Sequence, residues 1–460
     1  MLEALTLATG VVILVIASIG FRRTRDPLSP VVVFTPMLLY VYVYSPLSIL
    51  IRPEFAEVFP EPDDLVIVHV LNLLCVIGLL VGSSWDRRAA RLEDRRFKIL
   101  DRELRGHTRN RLLSFGVFCG AFANAAFWFM VYYSGGFLRV FSQDKPVLYN
   151  PFDSGYFGEL PMMCYPALLM LALAWQGKKL HVHRVAMFAL VGLPQLIMAT
   201  AGGRRGPAFL IACTLFGCWC IVRQRRPKLS YVMLGVCALG LFVVLLGEHR
   251  SRLFQPWRIG EDWVTERQIT PASDLSVGEE YIFGSGLVLT ANQYTRHFWG
   301  VRYFATFFVR PIPKQIWPGK YEDLGLGWME SRFAYAGFSL SEWIDAVGFV
   351  PAVGSAGGMA ADLFLEFSWG AVLACFLIGR MYSWSWKRWT THGGLWTLLY
   401  VEMLILSIYL PAQSLGAWGY RAILLGLPTL GIWKFVIARD QRSRSIRAPL
   451  ATRRAVPRGT

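Results

Sequence analysis

Two short stretches of this sequence concentrate chemistry suited to a phosphorylated ligand. The first, Gly202-Gly203-Arg204-Arg205-Gly206-Pro207, sets two guanidinium groups among glycines at the start of an apolar run. Proline fits the first turn of a helix, where a missing N–H costs nothing. The glycines allow backbone conformations in which successive N–H groups converge on an anion. A helix N-terminus adds the positive end of its dipole, and arginines can fork onto phosphate oxygens. The second stretch runs from Arg310 through Pro311, Pro313, Lys314, Trp317 and Pro318 to Lys320. Its prolines enforce an extended path, along which three cations alternate with an indole on which a sugar face can stack. Arg250, in Glu248-His249-Arg250-Ser251-Arg252, offers one more cation. Plainer roles remain open for all of these: arginines that snorkel to lipid headgroups, or a basic turn at the membrane surface.

A general base would come from Glu342, Asp345, Asp362 or Glu366. Asp362 and Glu366 are four apart and so share a helix face. Either could take the proton of a sugar hydroxyl, or could pair with one of the arginines in a structural network. The sequence has no Walker A loop, no dinucleotide fingerprint following a strand, and no HExxH or CxxC pair. No metal and no cofactor are therefore expected.

The elements that must position these residues are membrane spans. Of 460 residues, 54% are hydrophobic and 17% charged, and 47 Lys and Arg against 31 Asp and Glu leave a net charge of +16. That balance excludes a disordered chain and an ordinary soluble multidomain enzyme. A spanning helix needs about 20 mostly apolar residues. Eleven runs qualify, near 4–21, 31–51, 65–84, 112–133, 160–175, 185–201, 207–222, 231–247, 359–380, 395–413 and 422–438. The expected fold is an all-α polytopic membrane protein. It divides into a bundle of eight spans (1–247), a large external loop with helices lying along the interface (248–358), the last spans (359–438) and a basic tail (439–460). Alternate loops divide the Lys and Arg 31 to 16. The richer side is cytoplasmic by the positive-inside rule, placing the N-terminus outside and the C-terminus inside. The first span follows Glu3 with no basic region ahead of it, unlike a cleaved signal. All eight cysteines fall within proposed spans, which argues against a disulfide framework. Most of the basic excess is thus topology, and it implies no nucleic acid. The exceptions are the cations of the glycine turn and the large loop, on the side where the rule places few.

The order of four pieces resembles the bacterial O-antigen or oligosaccharide repeat-unit polymerases of the Wzy type. They are the Gly-Arg-Gly turn opening a span at 202–206, the Arg310-Pro-x-Pro stretch reaching Trp317-Pro318-Gly319-Lys320, the small-residue run Gly354-Ser355-Ala356-Gly357-Gly358-Met359, and Asp362 to Gly370 followed by Gly379. They cover the second half of the chain; the first half is similar only in hydropathy. The resemblance implies a glycosyltransferase of the bacterial inner membrane acting on its outer side. Such an enzyme joins oligosaccharide repeat units carried on undecaprenyl diphosphate into O-antigen or exopolysaccharide. Besides membrane lipids, it implies a flippase and a chain-length regulator as partners. Arg204, Arg205, Arg310, Lys314 and Lys320 would stabilise charge on the leaving diphosphate, and a carboxylate would deprotonate the acceptor hydroxyl. An O-antigen ligase shares this topology and donor, and a transporter of the same lipid-linked glycan is the alternative of another class. Replacing Arg204 or Arg205 by alanine is expected to abolish polymer while single lipid-linked units accumulate, visible as loss of the ladder on a gel; an unchanged ladder would refute the assignment.

Overall fold

A computed structural model describes residues 1–51, 59, 62–85, 106–141, 148–149, 156–179, 181–202, 204–248, 279–330, 336–348 and 356–437. Helices occupy the place of every expected span. An apolar chain segment in hydrocarbon must satisfy its own N–H and C=O groups, and a helix does so within the segment. In chain order the first eight are α1 (Leu2–Thr24), α2 (Pro30–Leu50), α3 (Leu65–Ser84), α4 (Gly106–Tyr133), α5 (Phe157–Ala174), α6 (Val182–Ala199), α7 (Arg205–Arg223) and α8 (Leu229–Glu248). The long loop supplies α9 (Glu279–Gln293), α10 (301–309, its second half a π-helix) and α11 (Leu340–Val347). Then follow α12 (Gly358–Phe367), α13 (Ala371–His392), α14 (Leu395–Ala412) and α15 (Leu415–Ile437). Counting α12 and α13 together, ten helical segments among the described residues are long and apolar enough to cross a membrane, and α8 stands where the remaining span was expected. Among the described residues there is no β-strand. The protein is an all-α, multi-pass membrane protein.

Packing cuts across the linear division of the chain. One apolar core joins α4, α5, α6 and α7 to α14 and α15, with α5 buried throughout from Cys164 to Ala174. The other joins α1, α2 and α3 to α9, α11, α12 and α13. The closest approach within it is between α3 and α13. A methyl group added at Gly78 would lie 2.7 Å from the Val372 carbonyl, and one at Gly82 would fall on the Phe376 carbonyl. Gly379 meets the backbone of Leu79 and Ser83 in the same way. Without a hydrophobic drive between helices in lipid, such backbone proximity is where packing energy comes from.

Helix α9 packs into the second core: Tyr281, Leu287, Val288 and Ala291 are buried, and the fully buried Trp343 of α11 stacks on Phe283 with ring centres 5.4 Å apart. Two features differ from expectation. The ninth span is interrupted, since Ser368 at φ 52° ends α12 before α13 begins. The last span starts at Leu415 rather than near 422, because the Ser414 hydroxyl accepts from the Ala417 amide and caps it there. That earlier start places Arg421 inside a helix. Within the spans, Glu402 of α14 is buried and accepts a hydrogen bond from Thr429 of α15.

At one end of the bundle, Asp26 closes the structure. Its carboxylate accepts from Arg226 Nη1 and Trp386 Nε1, both at 2.8 Å, and from the Leu28 amide at 3.1 Å. Arg226 also sits 4.3 Å over the Trp389 ring. The opposite end holds the long loop. The glycine contacts yield a direct test. Gly82→Ala is expected to destabilise the protein by about 1–3 kcal/mol through overpacking, read as a lower thermal midpoint in detergent. Gly426→Ala, with nothing within 4 Å of the added methyl, should be neutral or slightly stabilising.

Candidate functional site

The interruption of the ninth span creates the site. A helix end leaves carbonyls without intrahelical donors, and the chain entering α10 supplies them. Phe298 N donates to Leu365 O at 3.1 Å and Trp299 N to Glu366 O at 2.8 Å, while His297 Nδ1 lies 3.0 Å from Phe364 O. Trp299 and Gly300 take positive φ angles of 52° and 89° to make this turn. The Gly300 amide then donates to Glu366 Oε2 at 2.7 Å. Two residues on, Arg302 bridges both carboxylates of α12, with Nη2 3.0 Å from Asp362 Oδ1 and Nη1 3.3 Å from Glu366 Oε1. Asp362 Oδ2 accepts from the Tyr303 hydroxyl at 2.7 Å and from the Leu415 amide at 3.2 Å. Burial works against charge on Arg302, but Asp362 and Glu366 more than offset it, so its pKa is raised above the ordinary arginine value. Burial, and then the Asp362 charge, push the Tyr303 phenol well above its usual range, which keeps it a donor.

Above this triad lies a polar cavity of about 320 Å³, lined by Arg302, Thr306 and Arg310 of the α10 segment, Asp362 of α12, and Tyr420 and Arg421 of α15, among others. Its charged lining is three arginines against one aspartate, a balance of +2. Arg310 lies 4.5 Å over the Tyr420 ring, and Arg421 lies 4.1 Å over Tyr409 and 4.6 Å over Tyr420. These faces hold the guanidiniums in place without neutralising them. Glu159, at the start of α5, accepts from Arg421 Nη2 at 3.0 Å and from the Tyr420 hydroxyl at 2.8 Å. Arg302 Nη1 faces Glu366 Oε1 beneath the cavity, while Arg421 Nε is buried and makes no hydrogen bond. Among the described residues, no three His, Cys, Asp or Glu side chains come together as a metal site.

The residues expected from sequence separate here. Arg310 and Asp362 line the cavity, and Glu366 lies beneath it in the Arg302 triad. Arg204 caps α7 and interacts electrostatically with Glu159 and Tyr409 beside the cavity. In its glycine turn, Gly202 N and Arg204 N donate to Ile197 O and Met198 O, closing the end of α6, while Gly203 lies outside the described residues. Arg205 opens α7, but its side chain, like all of Arg250, falls outside the description. Lys320 differs most from its expected role: it is 1% exposed, and its ammonium donates to the carbonyls of Val309, Arg310 and Ile312. It caps the end of α10 and is not directed at a ligand. Trp317 donates its indole N–H to Asp323 at 2.6 Å and packs against the cluster of Ala305, Val309, Tyr321 and Leu326. Neither Trp317 nor Lys314 lines the cavity.

Glu342 and Asp345 also serve the loop's architecture and do not line the cavity. Glu342 completes the capping box of α11 with Ser339 and takes Arg296 at 2.7 Å. The Ser339 amide and then Arg296 lower its pKa. Asp345 accepts from Gln293 Nε2 and the Tyr294 hydroxyl, both at 2.8 Å. The residues that sequence reasoning missed are Arg302, Arg421, Tyr420 and Glu159. For Arg302 a signal existed in the four-residue spacing of Arg302, Thr306 and Arg310 through an otherwise apolar run. For Arg421 and Glu159 no local pattern pointed to a pair 262 residues apart.

Comparison with protein-family models, with curated proteins and with solved structures finds no match to this chain. The triad yields its own test. Arg302→Ala strands two buried carboxylates, a loss worth about 3–5 kcal/mol for a buried ion pair. It is expected to abolish monodisperse protein in detergent, whereas Glu342→Gln, at a partly exposed cap, should leave the elution profile intact.

Proposed function

We propose that this chain is a membrane glycosyltransferase that polymerises oligosaccharide repeat units carried on a polyprenyl diphosphate. The observation that carries the reading is the polar cavity, which three arginines and one aspartate line. A diphosphate leaving group matches that charge. By the positive-inside rule, the end of the bundle that holds the cavity and the long loop is the outer side of the bacterial inner membrane, with the N-terminus on that side and the C-terminus in the cytoplasm. The acceptor sugar hydroxyl attacks the anomeric carbon of the donor glycan, the bond from that carbon to the diphosphate oxygen breaks, and the lipid diphosphate departs with the electron pair. Arg302, Arg310 and Arg421 stabilise the charge that develops on it. Of the four carboxylates expected as bases, Asp362 alone lines the cavity, so the hydroxyl proton is assigned to it. Arg302 and Tyr303 hold that carboxylate in place.

A transporter of the same lipid-linked glycan is the second reading, and a specific observation favours it. Discontinuous helices with buried charge are a recurrent feature of transporters, and the ninth span has both. Incubating the purified protein with a lipid-linked repeat unit separates the two, since a transporter makes no longer chains. A ligase would cap a lipid A core or protein acceptor with single units and produce no ladder. Under the polymerase reading, Asp362→Asn and Arg310→Gln each lower chain formation by about 10²-fold or more, the weight of a general base or of one donor to a developing oxyanion. Glu342→Gln retains activity. Full activity in Asp362→Asn would remove the base assignment, and the absence of any chain extension by the wild-type protein would overturn the polymerase reading.

A further inference from the structure

Helix α10 carries two opposed stripes. Arg302, Thr306 and Arg310 line the cavity. On the other side Val301, Phe304 and Phe308 are 46%, 53% and 65% exposed, and the two phenylalanine rings lie 5.3 Å apart. One helix thickness therefore separates a cationic cavity from a bare apolar surface. The last span is divided in a related way. Ala417, Tyr420 and Arg421 line the cavity, while Gly419 lies against the Phe307 ring of α10, so closely that an added methyl would come within 2.5 Å of it. Helical spacing continues the Gly416 and Gly419 face down the span to Ile423, Leu427 and Leu430. All three are exposed. The face of α15 that α10 covers at the top is thus open to the surroundings lower down, where a span meets acyl chains.

We propose that the seam between Phe307 and Gly419 is where the polyprenyl chain of a diphosphate lipid leaves the cavity for the bilayer, lying against Phe304 and Phe308 on one side and Ile423 and Leu427 on the other. The inference rests on reading the cavity as a lipid-diphosphate site. Its physical basis is the adjacency of unlike surfaces. An amphiphile with its diphosphate on the arginines must place its chain somewhere, and each buried methylene favours an apolar path by about 0.8 kcal/mol. The seam offers such a path with apolar stripes on both flanking helices.

The full chain, in phosphatidylcholine vesicles, would be irradiated with a polyprenyl diphosphate bearing a photoreactive group on its first isoprene units, and labelled peptides mapped by mass spectrometry. Labelling is expected to concentrate in 301–309 and 419–430 and to disappear with excess unlabelled polyprenyl diphosphate. It should also fall about tenfold in Arg310→Gln, the weight of one charge-assisted hydrogen bond. Leu234 of α8, 68% exposed, reports ordinary contact with bulk lipid. Equal labelling at Leu234 and at the seam, or seam labelling that excess polyprenyl diphosphate fails to displace, would overturn the proposal. Specific seam labelling by a protein that makes no polymer would support the seam and refute polymerisation. Polymer formed without seam labelling would do the reverse.

Discussion

The buried charge cluster of Arg302 with Asp362 and Glu366 is the interaction on which the upper half of the structure depends. Ions taken out of water are costly, and carboxylates inside a span must face protein or water. Here Glu366 is fully buried and Asp362 nearly so. The cost is offset only because one guanidinium reaches both carboxylates and because Gly300, Tyr303 and Leu415 donate to their remaining oxygens. Removing any one partner would leave the others buried without compensation. The cluster therefore fixes three things together: the break in the ninth span, the path of the chain into α10, and the start of the last span.

From that fixed point the cavity follows. Helix α10 is pinned at its beginning by the Arg302 triad and at its end by Lys320, whose ammonium gathers the carbonyls of Val309, Arg310 and Ile312. Its remaining polar residues have one direction left, toward α15. The arginines that meet there would repel one another, and each is held by a different local device. Arg302 has its carboxylates, Arg310 has the Tyr420 face, and Arg421 has Glu159 together with two tyrosine faces. Aromatic faces hold a cation without cancelling its charge, so Arg310 keeps its positive charge at the cavity wall.

The two ends of the bundle make contrasting use of the same chemistry. At the far end Asp26 has its acceptors filled by Arg226, Trp386 and the Leu28 amide in a compact knot. At the cavity end the arginines line a polar void. A compact knot holds helices together, whereas cations lining a polar void suit binding. The carboxylates that looked alike in the sequence divide along the same line. Glu342 and Asp345 are spent on tying α11 to the end of α9, and Asp362 stands at the cavity wall.

The helical, membrane-spanning architecture was legible in the residues alone, because long apolar runs in lipid must satisfy their own backbone, and hydropathy records those runs directly. So was the shared face of Asp362 and Glu366, since four-residue spacing on a helix leaves no alternative. Which cation would meet them was decided only by tertiary structure. Arg302 is 60 residues away from Asp362, and its partners depend on a helix break and a turn with positive φ angles that no periodicity announces. The same holds for Arg421, which lay in an expected loop until the Ser414 cap extended the last span over it, and for Lys320, whose charge suggested a ligand site but whose burial assigns it to the backbone. Local spacing specifies which face a residue occupies. What that face meets depends on the packing of distant segments, where burial and hydrogen-bond satisfaction choose among partners that the sequence presents as equals.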